Sequence, residues 1–81
     1  MKVRVVAFAS AAEVLAGTAE EVELADAATV ESLLDELTRR RPTLGPLRAR
    51  LAVALDGELV SPHAPLADGC EVALLPPVSG G

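Results

Sequence analysis

Polar and apolar positions alternate at the start of the chain. From Lys2 to Phe8, Val3, Val5 and Ala7 fall on one face. Lys2 and Arg4 fall on the other, followed there by Val6 and Phe8, so the segment reads as a strand. Phe8 has two readings, a partner-facing side chain or one buried under a helix. Ser10 to Glu13 has the form of a capping box, and Gly17 is placed to end the short helix that would follow. Glu21 to Leu24 alternates again, with Val22 and Leu24 on one side, and predicts a second strand able to pair antiparallel with the first. The period then changes. Val30, Leu33, Leu34 and Leu37 recur at the spacing of a helical stripe and predict a helix from Val30 to Arg41. Thr29 can cap it, Glu31 and the Arg39-Arg40-Arg41 triplet suit its dipole, and Pro42 stops it. A connector rich in turn residues covers Leu44 to Arg50. Three strands are then expected, over Leu51–Leu55, Glu58–Val60 and Glu71–Leu75. Asp56-Gly57 marks a tight turn between the first two, and Asp68-Gly69 a turn before the third. Leu66 is expected to anchor the intervening loop.

The order is strand, short helix, strand, long helix, three strands. One long helix must cover one face of a sheet, which makes an α+β two-layer domain. Among small folds of this order the ubiquitin-like β-grasp, a mixed sheet covered by one main helix, fits best by analogy. The expected organisation is one domain over residues 1–75 and an extended, flexible tail over residues 76–81.

Composition narrows the functional classes. The chain has 81 residues, enough for one modest core, and 51% of them are hydrophobic. Phe8 is the sole aromatic residue, so no base-stacking platform is available. The net charge of −5 disfavours a phosphate backbone as partner and favours a basic protein surface. With a single cysteine no internal disulfide can form. The first ten residues read as a strand and not a signal peptide, and no apolar run approaches the ~20 residues of a membrane span. The expectation is a cytoplasmic protein with neither nucleic-acid nor membrane partners.

The chemistry is concentrated at Pro76-Pro77-Val78-Ser79-Gly80-Gly81. Pro76 ends ladder pairing because it has no N–H to donate, and two prolines favour an extended lead-in. Gly80 and Gly81 make the thinnest chain that can enter an enclosed site, with torsions closed to other residues. A stiff lead-in loses less entropy when such a tail is threaded. A carboxylate becomes an acyl donor only once its oxygen can leave. Attack on the α-phosphate of ATP gives an acyl-adenylate, and a sulfur nucleophile can then displace AMP to leave a thiocarboxylate.

Four stretches resemble the MoaD/ThiS family of sulfur carriers, in its MoaD branch. They are Val3 to Ala9 with the helix ending at Gly17, Val53-Ala54-Leu55-Asp56-Gly57-Glu58, Leu66 to Val72, and, most specifically, Pro76 to Gly81. The resemblance implies that Gly81 is adenylated by an ATP-dependent adenylyltransferase of the ubiquitin-activating type and then thiocarboxylated. It implies that the tail Pro76, Pro77, Val78, Ser79 and Gly80 inserts into the large catalytic subunit of molybdopterin synthase, in a heterotetramer. Sulfur then passes to cyclic pyranopterin monophosphate. The small subunit binds no cofactor, and ATP is used by the activating partner. Phe8, Leu59 and Leu75 match family positions at the large-subunit contact, with burial in the domain's own core as the competing reading. The chain departs from the family in having Leu74 and Leu75 where aromatics are frequent, Ala12 in place of an Arg, and Asp56 in place of an Asn. A carrier for thiamine, cysteine or tRNA thiolation, and a ubiquitin-like modifier joined to lysines, remain alternatives.

Other side chains point to ordinary structural roles. Cys70 follows a turn with no basic neighbour to lower its pKa. His63 lies between prolines, and one His with one Cys makes no recognisable metal site. Ser10 and Ser79 lack a base partner, and no phosphate-binding loop occurs. The Arg triplet reads as a solvated helix end.

Overall fold

The computed structural model describes residues 1–8 and 19–76. The expected helix between Ser10 and Gly17, and Pro77, Val78, Ser79, Gly80 and Gly81, lie outside the described residues. Strands β1 (Lys2–Ala7) and β2 (Ala19–Glu23) are followed by helix α1 (Val30–Arg40). A single 3-10 turn at Pro42–Leu44 leads into the short helix α2 (Gly45–Arg48). Strands β3 (Ala52–Leu55), β4 (Glu58–Val60) and β5 (Glu71–Leu75) complete the order. They form one five-stranded sheet in the order β2-β1-β5-β3-β4. β1 and β5 run parallel at its centre and every other pairing is antiparallel. This is the ubiquitin-like β-grasp, a mixed sheet under one main helix.

The core follows from the two periods. Val3, Val5 and Ala7 of β1, Val22 of β2, and Val72 and Leu74 of β5 are buried on one face of the sheet. Val30, Leu33, Leu34 and Leu37 of α1 are buried in the same cluster, as the helical stripe requires. Leu44 fills its end and Leu66 its flank, while Cys70 is a buried member of the cluster. Thr29 caps α1. Its hydroxyl accepts from the Ser32 amide at 3.3 Å, and the Ser32 hydroxyl accepts from the Thr29 amide at 3.1 Å.

Three details differ from the sequence reading. The connector after Pro42 is helical, because Pro42 and Pro46 each sit in a first turn, where the missing N–H has no cost. The second strand begins at Ala19, two residues before Glu21. The Arg triplet is not merely solvated. Arg39 and Arg40 both bond Glu36, at 2.6 and 2.8 Å, and Arg41 reaches Glu20 of β2 at 3.1 Å. The guanidiniums of Arg39 and then Arg40 hold the Glu36 carboxyl down at about 2.

Both Asp-Gly turns are tied down by their carboxylates. Asp56 and Gly57 have φ of 48° and 91°, as a tight hairpin turn of this hand needs. The Asp56 Oδ1 accepts from the Glu71 amide at 2.9 Å, and Asp56 N donates to the Glu71 carbonyl at 2.9 Å. Asp68 Oδ1 accepts from the Lys2 amide at 2.7 Å. Each turn thus pins its neighbouring strand to the centre of the sheet.

Candidate docking face and tail root

Alternation along the strands sends every second side chain to the face opposite α1. On that outer face residues paired in register lie side by side. Ala19, Val6, Ala73, Ala54 and Leu59 form one row across all five strands. A second row places Leu75 opposite Ala52. Phe8 prolongs β1 beside it, its amide donating to the Leu74 carbonyl at 3.3 Å. Further back, Arg4 is in register with Glu21 on one side and Glu71 on the other. Its Nε lies 3.8 Å from the Glu71 carboxylate. The outer face is therefore divided along the strand direction. One half is charged, and the half at the C-terminal ends of β1 and β5 is apolar.

The structure brings together three of the residues singled out in the sequence. Phe8 is 49% exposed and Leu59 72% exposed, while Leu75 is half-buried between them. Burial in the domain's own core is thus not where Phe8 and Leu59 reside. Phe8 and Leu59 are separated across the sheet by three interstrand spacings, roughly 14 Å at about 4.8 Å each. The floor between them is small: Ala52, Ala54 and Ala73. Val6 was legible on this face from the alternation of β1, whereas Ala54 and Ala73 were not. Ala54 lies two residues after Ala52 and Ala73 two before Leu75, the next outer pair along, but the register itself is not visible in one strand at a time.

Pro76 follows Leu75 directly and is half-buried at the edge of the apolar half. The tail root and the exposed apolar side chains thus share one end of the sheet. Cys70 has no role on this face because it lies on the core side. Among the described residues no group of His, Cys, Asp and Glu has the arrangement of a metal site. No helix among them is long and apolar enough to cross a membrane.

Comparison with known proteins bears on the family and the fold. Residues 5–81 match the pattern of the ThiS family. The molybdopterin synthase sulfur carrier subunit of Escherichia coli (strain K12) is 40% identical, covering 98% of this chain and 99% of that protein. The solved small archaeal modifier protein 1 of Haloferax volcanii superposes with a TM-score of 0.85 at 30% identity, over 95% of this chain and 98% of that one. The solved complex of subunits 1 and 2 of molybdopterin-converting factor from Helicobacter pylori 26695 contains a chain that matches with a TM-score of 0.71 at 27% identity, over 100% of both.

Proposed function

This chain belongs to the ThiS family, and from that membership we propose that it is the sulfur-carrier subunit of a molybdopterin synthase. The observation that carries the proposal is the apolar half-face of Phe8, Leu59 and Leu75 beside the tail root at Pro76. A partner seated on that half-face holds the start of the tail at a fixed offset. The tail Pro76-Pro77-Val78-Ser79-Gly80 then spans the distance into the partner's pocket, and Gly81 carries the chemistry. The Escherichia coli relative bears the name of this subunit, and the Helicobacter pylori complex pairs a similar chain with a second subunit.

The chemistry proceeds in two displacements. A carboxylate oxygen of Gly81 attacks the α-phosphorus of ATP, and pyrophosphate leaves. A sulfide-equivalent nucleophile then adds to the acyl carbon, and AMP leaves with the oxygen that attacked. The product is a thiocarboxylate, which delivers its sulfur to cyclic pyranopterin monophosphate inside the large subunit. This chain supplies the acyl group and the docking face. ATP belongs to the adenylyltransferase of the ubiquitin-activating type, so the small subunit is not an enzyme on its own.

Incubation with a cognate activating enzyme, ATP and a sulfur donor is expected to raise the intact mass by about 16 Da, for one oxygen replaced by sulfur. An unchanged mass in a system that sulfurates another carrier refutes the proposal. Similarity to an archaeal modifier protein favours a second reading, in which Gly81 ends in an isopeptide bond to a lysine. That reading predicts higher-mass adducts in cells that vanish when Gly81 is deleted.

A further inference from the structure

β2 is an edge strand, and its register shows which of its backbone groups face outward. The Met1 amine donates to the Leu24 carbonyl at 2.8 Å, and the Leu24 amide donates to the Met1 carbonyl at 2.8 Å. Antiparallel pairs alternate between bonded and non-bonded, so Val3 with Val22 and Val5 with Glu20 are the next bonded pairs. The N–H and C=O groups of Ala19, Glu21 and Glu23 therefore point away from β1. Among the described residues no backbone group bonds them.

The side chains along that edge restrict what could pair with it. Glu21 and Glu23 are exposed, and neither makes an ion pair among the described residues. Antiparallel pairing with β2 of a second copy would set Glu against Glu, which is destabilising and guards the edge against self-association. The chain itself contains the complementary pattern. In β1, Lys2 and Arg4 lie opposite Glu23 and Glu21, with Val3 between them opposite Val22. Just past the end of β2 an open groove of about 500 Å³ lies beside α1, with Leu24, Ala25 and Ala28 on one wall and Ser32, Glu36 and Arg39 on the other.

We propose that the outward edge of β2 accepts an added strand from a basic protein segment. The segment carries Lys or Arg at two positions one residue apart, and a small apolar residue between them. The cations lie beside Glu21 and Glu23 on the outer face, and the apolar residue turns toward the groove beside α1. The main-chain groups of Ala19, Glu21 and Glu23 supply hydrogen bonds, and the two carboxylates supply selectivity for cations. β2 and β4 are the opposite edges of the sheet, so this strand leaves Leu59 uncovered. The inference does not depend on the function proposed for Gly81.

The test is a titration of the isotopically labelled full chain with an acetylated, amidated peptide, Lys-Val-Arg-Val-Lys, followed by amide chemical shifts. Changes confined to residues 19–25 and the groove face of α1, weakening as salt is raised, are expected. Glu21→Ala should weaken binding roughly 2- to 5-fold, the worth of one cross-strand charge pair. Glu21→Pro removes an outward N–H while leaving the bonds of Glu20 and Val22 to β1, so it should stay folded and lose binding. Glu21→Lys with Glu23→Lys should abolish binding and take up the peptide with Glu in place of the cations. The proposal fails if millimolar peptide shifts nothing, if the changes centre on Phe8 and Leu59, or if the charge-reversed variant binds as well as the parent.

Discussion

Truncating Leu59 separates docking from folding more cleanly than any other change on the outer face. Its side chain is 72% exposed, so the folded chain gains little from it. Fully burying a Leu contributes about 1.5–3 kcal/mol, so covering the exposed part on docking contributes about 1–2 kcal/mol. Leu59→Ala should therefore raise the Kd for the large synthase subunit by about 5- to 30-fold. Phe8 is 49% exposed. An aromatic ring buries about 150–250 Å², so covering half of it at about 25 cal/mol/Å² contributes about 2–3 kcal/mol. Phe8→Ala should then cost about 30- to 150-fold in Kd. Calorimetric titration with the large subunit measures these losses, and urea unfolding supplies the control. An exposed-site change such as Leu59→Ala should alter unfolding free energy by no more than about 0.5 kcal/mol. Docking through Leu59 is refuted if Leu59→Ala leaves Kd unchanged, or if its loss of binding is matched by an equal loss of folding stability.

Further outcomes follow from the core, the turns and the ion pairs. Leu33→Ala empties a fully buried position under α1 and should lower unfolding stability by about 2–5 kcal/mol in urea. Thr29→Ala removes one half of the reciprocal cap with Ser32 and should cost about 1 kcal/mol by the same assay. Gly57→Ala places a Cβ at φ +91°, where nothing crowds it but the backbone is strained, and should cost on the order of 1 kcal/mol. The Glu36 carboxyl is held down at about 2 by Arg39 and Arg40, below its ordinary 4.5. A depressed folded pKa stabilises above the unfolded value and is lost as pH falls through the folded one. The stability difference between the parent and Glu36→Gln should thus be present at pH 6, shrink between about 4.5 and about 2, and shrink with salt. Thermal melts across that range would show it.

Local structure was readable wherever a side-chain period was strong. Val30, Leu33, Leu34 and Leu37 marked the helix to within a residue, because one stripe serves both helix and core. Val3, Val5 and Ala7 marked the buried face of β1, and by difference put Phe8 on the other. The two Asp-Gly pairs marked turns, since positive φ selects such residues. Pairing was harder. Nothing in the alternation of Glu71 to Leu75 says that this strand inserts beside β1 and runs parallel to it. That choice depends on α1 covering both strands at once, a property of the whole chain. The second use of Asp56 and Asp68, accepting amides of Glu71 and Lys2, was hidden for the same reason, because each bond joins residues distant in sequence. The ion pair from Arg41 to Glu20 is likewise invisible until α1 is laid across β2.

The parallel pairing is also what gives the proposed docking face its position. Two parallel neighbours finish at the same end of a sheet, so the residue that follows β1 and the residue that follows β5 become neighbours. Here those residues are Phe8, an exposed apolar side chain, and Pro76, the root of the tail. Had β5 run antiparallel to β1, the tail would leave from the charged end, beside Lys2 and Glu23. A partner holding the apolar half would then face the wrong end of the strand, and a six-residue tail could not turn back along five residues of β5 at about 3.3 Å each and still enter a deep pocket. The topology thus couples anchor to tail without any residue dedicated to the coupling. Inserting two glycines between Leu75 and Pro76 tests this, since it keeps the face and the terminal chemistry but loosens their offset. Docking should survive with Kd changed less than about 3-fold, and sulfur transfer in the assembled complex should fall much further, because the tail must now be ordered at the moment of reaction. Equal rates with and without the insertion would show that the offset set by the parallel pair is irrelevant to delivery.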